Sequence, residues 1–189
     1  MVLSSPTRAT LALLCLPLGA FAQNARNLCR SGESVLFSCT LQDSKQIVSL
    51  CGAPDAPPYT SVTYRFGTKA HVRLTHTAAA ANHSHFSATV SPASPRASVQ
   101  QVWFADRGTR YILTACDGGD CATRGGLIVL KNQRPLLTRA CRKDIPADQP
   151  WFSRQALPFS SDKNISATDL IRAEDYDNRI ELLYSPHQQ

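Results

Sequence analysis

As far as residue 141, the chain is a succession of short apolar runs broken by turn-forming residues. The runs are "SVLFSCTL", "QIVSLC", "SVTYRF", "HVRLTHT", "HFSATV", "SVQQVWFA", "RYILTAC", "GLIVLK" and "RPLLTRAC". Each is rich in Val, Ile, Thr or aromatic residues, and each is too short for an ordinary helix. "APDAPPY", "SPASPR", "DRG", "DGGD", "RGG" and "KNQ" lie between them and supply glycine, proline, aspartate and asparagine, the residues that turns require. About eight or nine short strands at near-even spacing predict an all-β protein, an antiparallel sandwich or barrel. The alternation in "HVRLTHT" predicts one wetted face.

Beyond residue 141 the pattern changes. "KDIPADQPWFSRQALPFSSDKN" has three prolines and no period, and it predicts an irregular strap anchored on the body by Trp151, Phe152 and Phe159. In "SATDLIRAEDYDNRIELL", Ser166 followed by Asp169 resembles a capping box, and Leu170, Ile171 and Ala173 give one apolar turn, enough for at most a short helix. The expected organisation is a leader over 1–22, a β-domain over 23–141 and an extension over 142–189 packed on the β-domain.

The leader is read from an early positive charge, Arg8, an apolar core "LALLCLPLGAF", and the small residues Ala20 and Ala22, which predict cleavage after Ala22. No later stretch is apolar for long enough to cross a bilayer as a helix. The chain has seven cysteines, and only Cys15 lies in the leader. Six remain, an even number as a disulfide framework in an exported chain requires.

The run Phe37–Gly52 looks like a hairpin closed by its own bond between Cys39 and Cys51, but geometry forbids it. With an even loop around Asp43 and Ser44, Cys39 lies opposite Val48, and Cys51 lies opposite Leu36 and points to the other face. With a three-residue loop, Cys51 lies opposite Val35 on the same face as Cys39 but about 13 Å along the strand, beyond the reach of a disulfide. A local bridge between Cys116 and Cys121 across "DGGD" is then the simplest pair. Gly32 turns Cys29 back towards Cys51, which leaves Cys39 for Cys141. This is one of about fifteen connectivities open to six cysteines.

"GESVLFSCTLQDSKQIVSLCG", "VTYRFG" and "GGLIVLKNQRPLLTRAC" resemble a pattern found in small exported bacterial β-rich proteins. The resemblance covers roughly residues 28–67 and 125–141. It implies an exported β-rich domain of the bacterial envelope and carries no particular chemistry with it. The Cys116 and Cys121 pair and the proline-rich tail depart from that pattern.

The formal net charge of +6 falls by one with the leader's Arg8, leaving a mild attraction for anionic surfaces. The cations are scattered and aromatics are few, so neither a basic stripe nor a stacking platform for nucleic acid is present. His83 and His85 sit two apart and share a strand face, yet a metal site needs three or four converging ligands. Asp117 and Asp120 flank flexible glycines but offer fewer oxygens than a calcium loop. Asp169, Glu174, Asp175 and Asp177 form an acidic cluster with the look of a solvated helix end. Asn82 and Asn164 head N-x-S triplets, which accept glycans only in a eukaryotic secretory route. No nucleophile elbow or spaced carboxylate pair is present. Alternation puts Tyr64 and Phe66 on the core face and Arg65 outside, where an arginine suits a partner contact.

The expectation is therefore an exported envelope binding protein, without cofactor or catalytic site. Its partner would be an envelope protein or an anionic cell-wall component, and one version is an inhibitor or immunity protein acting on an envelope enzyme. A small secreted hydrolase and a structural envelope protein are the alternatives.

Overall fold

β-branched and aromatic side chains at alternating positions favour an extended chain wherever one face can be buried. A computed structural model of the protein describes residues 27–56, 58–121, 123–142 and 170–173. In it each of the nine runs is a strand: β1 (Ser34–Thr40), β2 (Ile47–Ala53), β3 (Ser61–Gly67), β4 (Val72–Ala79), β5 (Phe86–Ser94), β6 (Ala97–Asp106), β7 (Thr109–Gly118), β8 (Gly125–Lys131) and β9 (Arg134–Ala140). A tenth, β10 (Ile171–Ala173), was not expected. The leader, Trp151, Phe152, Phe159 and the Ser166–Asp169 cap lie outside the described residues.

The strands form two sheets, β1-β2-β3-β4 and β10-β5-β6-β7-β8-β9. Every pairing is antiparallel except β10 with β5, which is parallel. Their facing sides share one core, to which the first sheet gives Phe37, Val48, Leu50, Val62 and Tyr64, and the second Phe86, Val102, Phe104, Leu113 and Leu127. Trp103, Ile112, Ile128 and Leu130 form a separate buried cluster. By alternation along β6, β7 and β8, this cluster sits on the opposite face of the larger sheet.

The β1–β2 hairpin combines both registers considered from the sequence. Its loop keeps Cys39 opposite Val48 and Phe37 opposite Leu50, and a bulge at Leu36 then brings Val35 opposite Cys51. The bulge lets consecutive Leu36 and Phe37 both enter the core. Cys39 and Cys51 remain on opposite faces.

At the far end of β1 the two sheets meet. Leu41 bridges to Cys141, the Gln42 N–H donates to the Ala140 carbonyl at 2.9 Å, and the Arg142 N–H donates to the Thr40 carbonyl at 2.9 Å. A disulfide between Cys39 and Cys141, Cα atoms 5.6 Å apart, pins this corner. The sandwich is thus seamed along β1 and β9, whereas β4 and β5 are joined through a single 3-10 turn at Ala80–Asn82.

The expected helix around Leu170 is corrected for the residues described. Ile171–Ala173 is extended and pairs with Phe86–Ala88, and Leu170 and Ile171 drop into the shared core. One apolar turn cannot sustain a helix against that burial, because helix nucleation is costly. No α-helix occurs among the described residues, and none there is long and apolar enough to cross a membrane.

Candidate functional site

Arg65 and Thr63 on β3 and Ser49 and Cys51 on β2 point away from the core, but all are buried. The segment Asn27–Glu33 covers them. It is stapled by the disulfide between Cys29 and Cys51, Cα atoms 5.5 Å apart. It is also hydrogen-bonded by the Leu28 N–H to Ser49 Oγ at 2.9 Å, and Ser49 Oγ lies 2.8 Å from Ser38 Oγ. Glu33 closes the cover. Its Oε2 and Oε1 accept from Arg65 Nη1 at 2.6 Å and Nη2 at 2.7 Å, and Oε2 also takes the Arg30 N–H at 2.7 Å. The guanidinium holds the Glu33 carboxyl below the usual range, against the opposing effect of burial.

This corrects the expectation of an exposed Arg65. Its side chain is only 5% exposed and is committed to Glu33. Alternation placed it on the correct face, but that face is covered by residues about thirty positions earlier, which no local pattern shows. The arginine is a structural tie and offers no free surface to a partner.

The other candidates separate. Cys116 and Cys121 are bonded, with Cα atoms 5.9 Å apart. Asp120, between them, spends one carboxylate oxygen on Arg96 Nη2 at 2.6 Å and the other on Ser94 Oγ at 2.7 Å, while Asp117 stands exposed. His83 caps the 3-10 turn in a left-handed conformation and His85 is half-buried. The one close group of potential ligands among the described residues is Cys29, Glu33 and Cys51. Those two sulfurs are bonded to each other, and the carboxylate is held by Arg65, so the group does not fit a metal.

What the sequence did not show is how the aromatic side chains converge. Tyr64, His76, Phe86, Phe104 and Tyr111 gather from both sheets in and against the shared core. His76 stacks on Phe104 with centroids 4.0 Å apart and planes 7° apart, and Tyr111 stacks on Phe104 at 4.9 Å. Phe86 meets both His76 and Phe104 edge-on. Burial pushes the His76 imidazole below its ordinary range, while Asp106 pulls the other way. Tyr64 Oη is buried without a hydrogen-bond partner, and burial drives its ionisation far above the ordinary range. A half-buried histidine tied into rings serves packing.

Beside this cluster runs β4. Val72, Arg73 and Thr75 on it are exposed, as are Lys69 and His71 in the turn that leads to it. That turn is closed by the Thr68 N–H to the His71 carbonyl at 2.8 Å and the His71 N–H to the Thr68 carbonyl at 3.1 Å. The strand pairs with β3 on one side and, among the described residues, has no strand on the other. The pattern "HVRLTHT" shows its wetted face but not that it ends a sheet, because edge position depends on the order in which strands assemble.

Comparison with protein families, with characterised proteins and with solved structures finds none that this chain matches.

Proposed function

We propose that the chain is an exported domain of the bacterial cell envelope that works by binding, and that its partner is an envelope component of opposite charge. The observation that carries this reading is the β4 margin, with Arg73 exposed on the strand, Lys69 and His71 exposed in the turn before it, and, among the described residues, no neighbouring strand on its outer side. Three disulfides suit an oxidising compartment, and the leader expected over 1–22 supplies the route. The prominent polar groups at the candidate sites are spent on holding the fold: Glu33 on Arg65, Asp120 on Arg96, and His76 on Phe104.

An inhibitor or immunity protein acting on an envelope enzyme is the version that best uses a disulfide-reinforced β-domain. The basic charge points to an acidic enzyme, since opposite charge steers association. The test is capture from envelope extract on the oxidised mature protein, washed at low and high salt. A single protein held at high salt is the expected result. Recovery of only a salt-labile anionic polymer overturns the inhibitor version and leaves charge as the basis of binding; recovery of nothing overturns the binding reading.

A further inference from the structure

Residues 56–105 contain no aspartate or glutamate, yet they include Arg65, Lys69, Arg73, Arg96 and four of the five histidines. Two of these cations are neutralised from elsewhere, Arg65 by Glu33 and Arg96 by Asp120. Lys69 and Arg73 have no ion-pair partner among the described residues, and both stand exposed on the β4 hairpin. The open edge of the smaller sheet is thus also its uncompensated cationic margin.

The other sheet margins are protected. β1 carries the bulge at Leu36 and is joined to β9 at its end. β9 carries Arg134, Pro135 and Arg139 and pairs with β8 through a bulge at its own Leu136. β5, where β10 does not cover it, carries Pro92 and a bulge. These are the devices by which natural sheets prevent unwanted pairing. β4 has a bulge at Arg73, but from Leu74 to Ala79 it has neither proline nor charge.

The orientation of its backbone groups follows from Asn82. The Asn82 side chain donates from Nδ2 to the Thr77 carbonyl at 3.1 Å and accepts at Oδ1 from the Ala79 N–H at 3.0 Å. In an antiparallel strand the N–H and C=O of one residue point the same way, and alternate residues point oppositely. Thr77 and Ala79 therefore face away from β3, and so does Thr75. Among the described residues, Asn82 ends the free edge at its C-terminal side and leaves the Thr75 N–H and C=O and the Thr77 N–H for a partner, on the strand that also carries exposed Arg73.

We propose that the β4 edge from Arg73 to Thr77 binds an extended acidic segment of a protein partner by strand addition. Main-chain hydrogen bonds to Thr75 and Thr77 give affinity, and Lys69 and Arg73 select carboxylates, as in other cases of sheet augmentation. This rests on the binding-domain reading and specifies its surface.

The test uses the oxidised mature chain, isotopically labelled, with a short peptide alternating glutamate and valine and a matched peptide alternating lysine and valine. The glutamate peptide should slow hydrogen exchange at the Thr75 and Thr77 amides and bind more tightly than the lysine peptide. Thr75→Pro deletes an outward N–H and no ladder bond, so it should fold and weaken the peptide about tenfold. Arg73→Glu, an exposed change, should reverse the preference between peptides whether or not the proline variant folds. Unchanged exchange at Thr75 and Thr77, equal binding of both peptides, or dimerisation through β4 in place of peptide binding overturns the proposal. A protein captured from envelope extract equally by wild type and Thr75→Pro removes the edge but leaves the binding domain standing. Capture by neither removes both.

Discussion

Tyr64 shows how much a single buried atom costs. Its ring packs on Phe104 and Tyr111 at centroid distances of 5.0 and 6.2 Å, while its hydroxyl is buried with no partner. An unsatisfied buried hydroxyl is a net loss, so Tyr64→Phe should raise unfolding stability by about 1 kcal/mol in a urea titration; a decrease would mean that the hydroxyl is satisfied in solution. Arg65 and Glu33 behave in the opposite way. Removing one partner leaves a buried charge, so Glu33→Gln should destabilise by about 3 kcal/mol, whereas replacing both partners by apolar residues of similar volume should cost far less. The double-mutant cycle measures that difference. That Tyr64 faces inward was legible, since it follows from period two. That Arg65 is sealed was not, because its cover comes from a distant segment and a cysteine link.

Individual strands are the most readable level of this molecule. Each of the nine runs carries its own period and ends at its own turn chemistry, so local sequence suffices. β10 is different: three residues have no period, and Ile171 is extended because the core and the free edge of β5 receive it. The β1 bulge was similarly hidden, since nothing in "SVLFSC" marks where pairing skips a residue. The β3–β4 hairpin depends on Gly67, which adopts φ of +153° at the bulge. A Cβ there would lie 2.3 Å from the His71 carbonyl oxygen. Gly67→Ala should therefore cost about 3 kcal/mol and lower amide protection in β4 before other strands. Uniform loss of protection would show that the hairpin has no separate stability. The same substitution disturbs the proposed binding edge, so it cannot serve as a test of binding.

Taken whole, the molecule is built to lose stability in acid. His76 has a depressed pKa, so the unfolded chain binds its proton first, and destabilisation begins as pH falls through about 6.5, the ordinary imidazole value. Glu33 is also depressed, and its contribution, fully present above its ordinary value of 4.5, is lost as pH falls through the lower folded value. Stability measured against pH should fall in two stages, and His76→Gln should flatten the upper one alone; an unchanged upper stage would assign it to another group. The seam between the sheets has a further consequence, concerning time. Cys39 is made long before Cys141, its partner 102 residues later, while Cys51 is near at hand from the start. In a chain that crosses a membrane from its N-terminus, oxidation before folding would join neighbours, Cys29 with Cys39 or Cys39 with Cys51, in place of the native pairs. Once β1 and β2 pair, however, Cys39 and Cys51 are on opposite sides of the sheet and cannot meet. In such a chain the paired hairpin would keep the Cys39 thiol away from Cys51 until the end of the domain arrives.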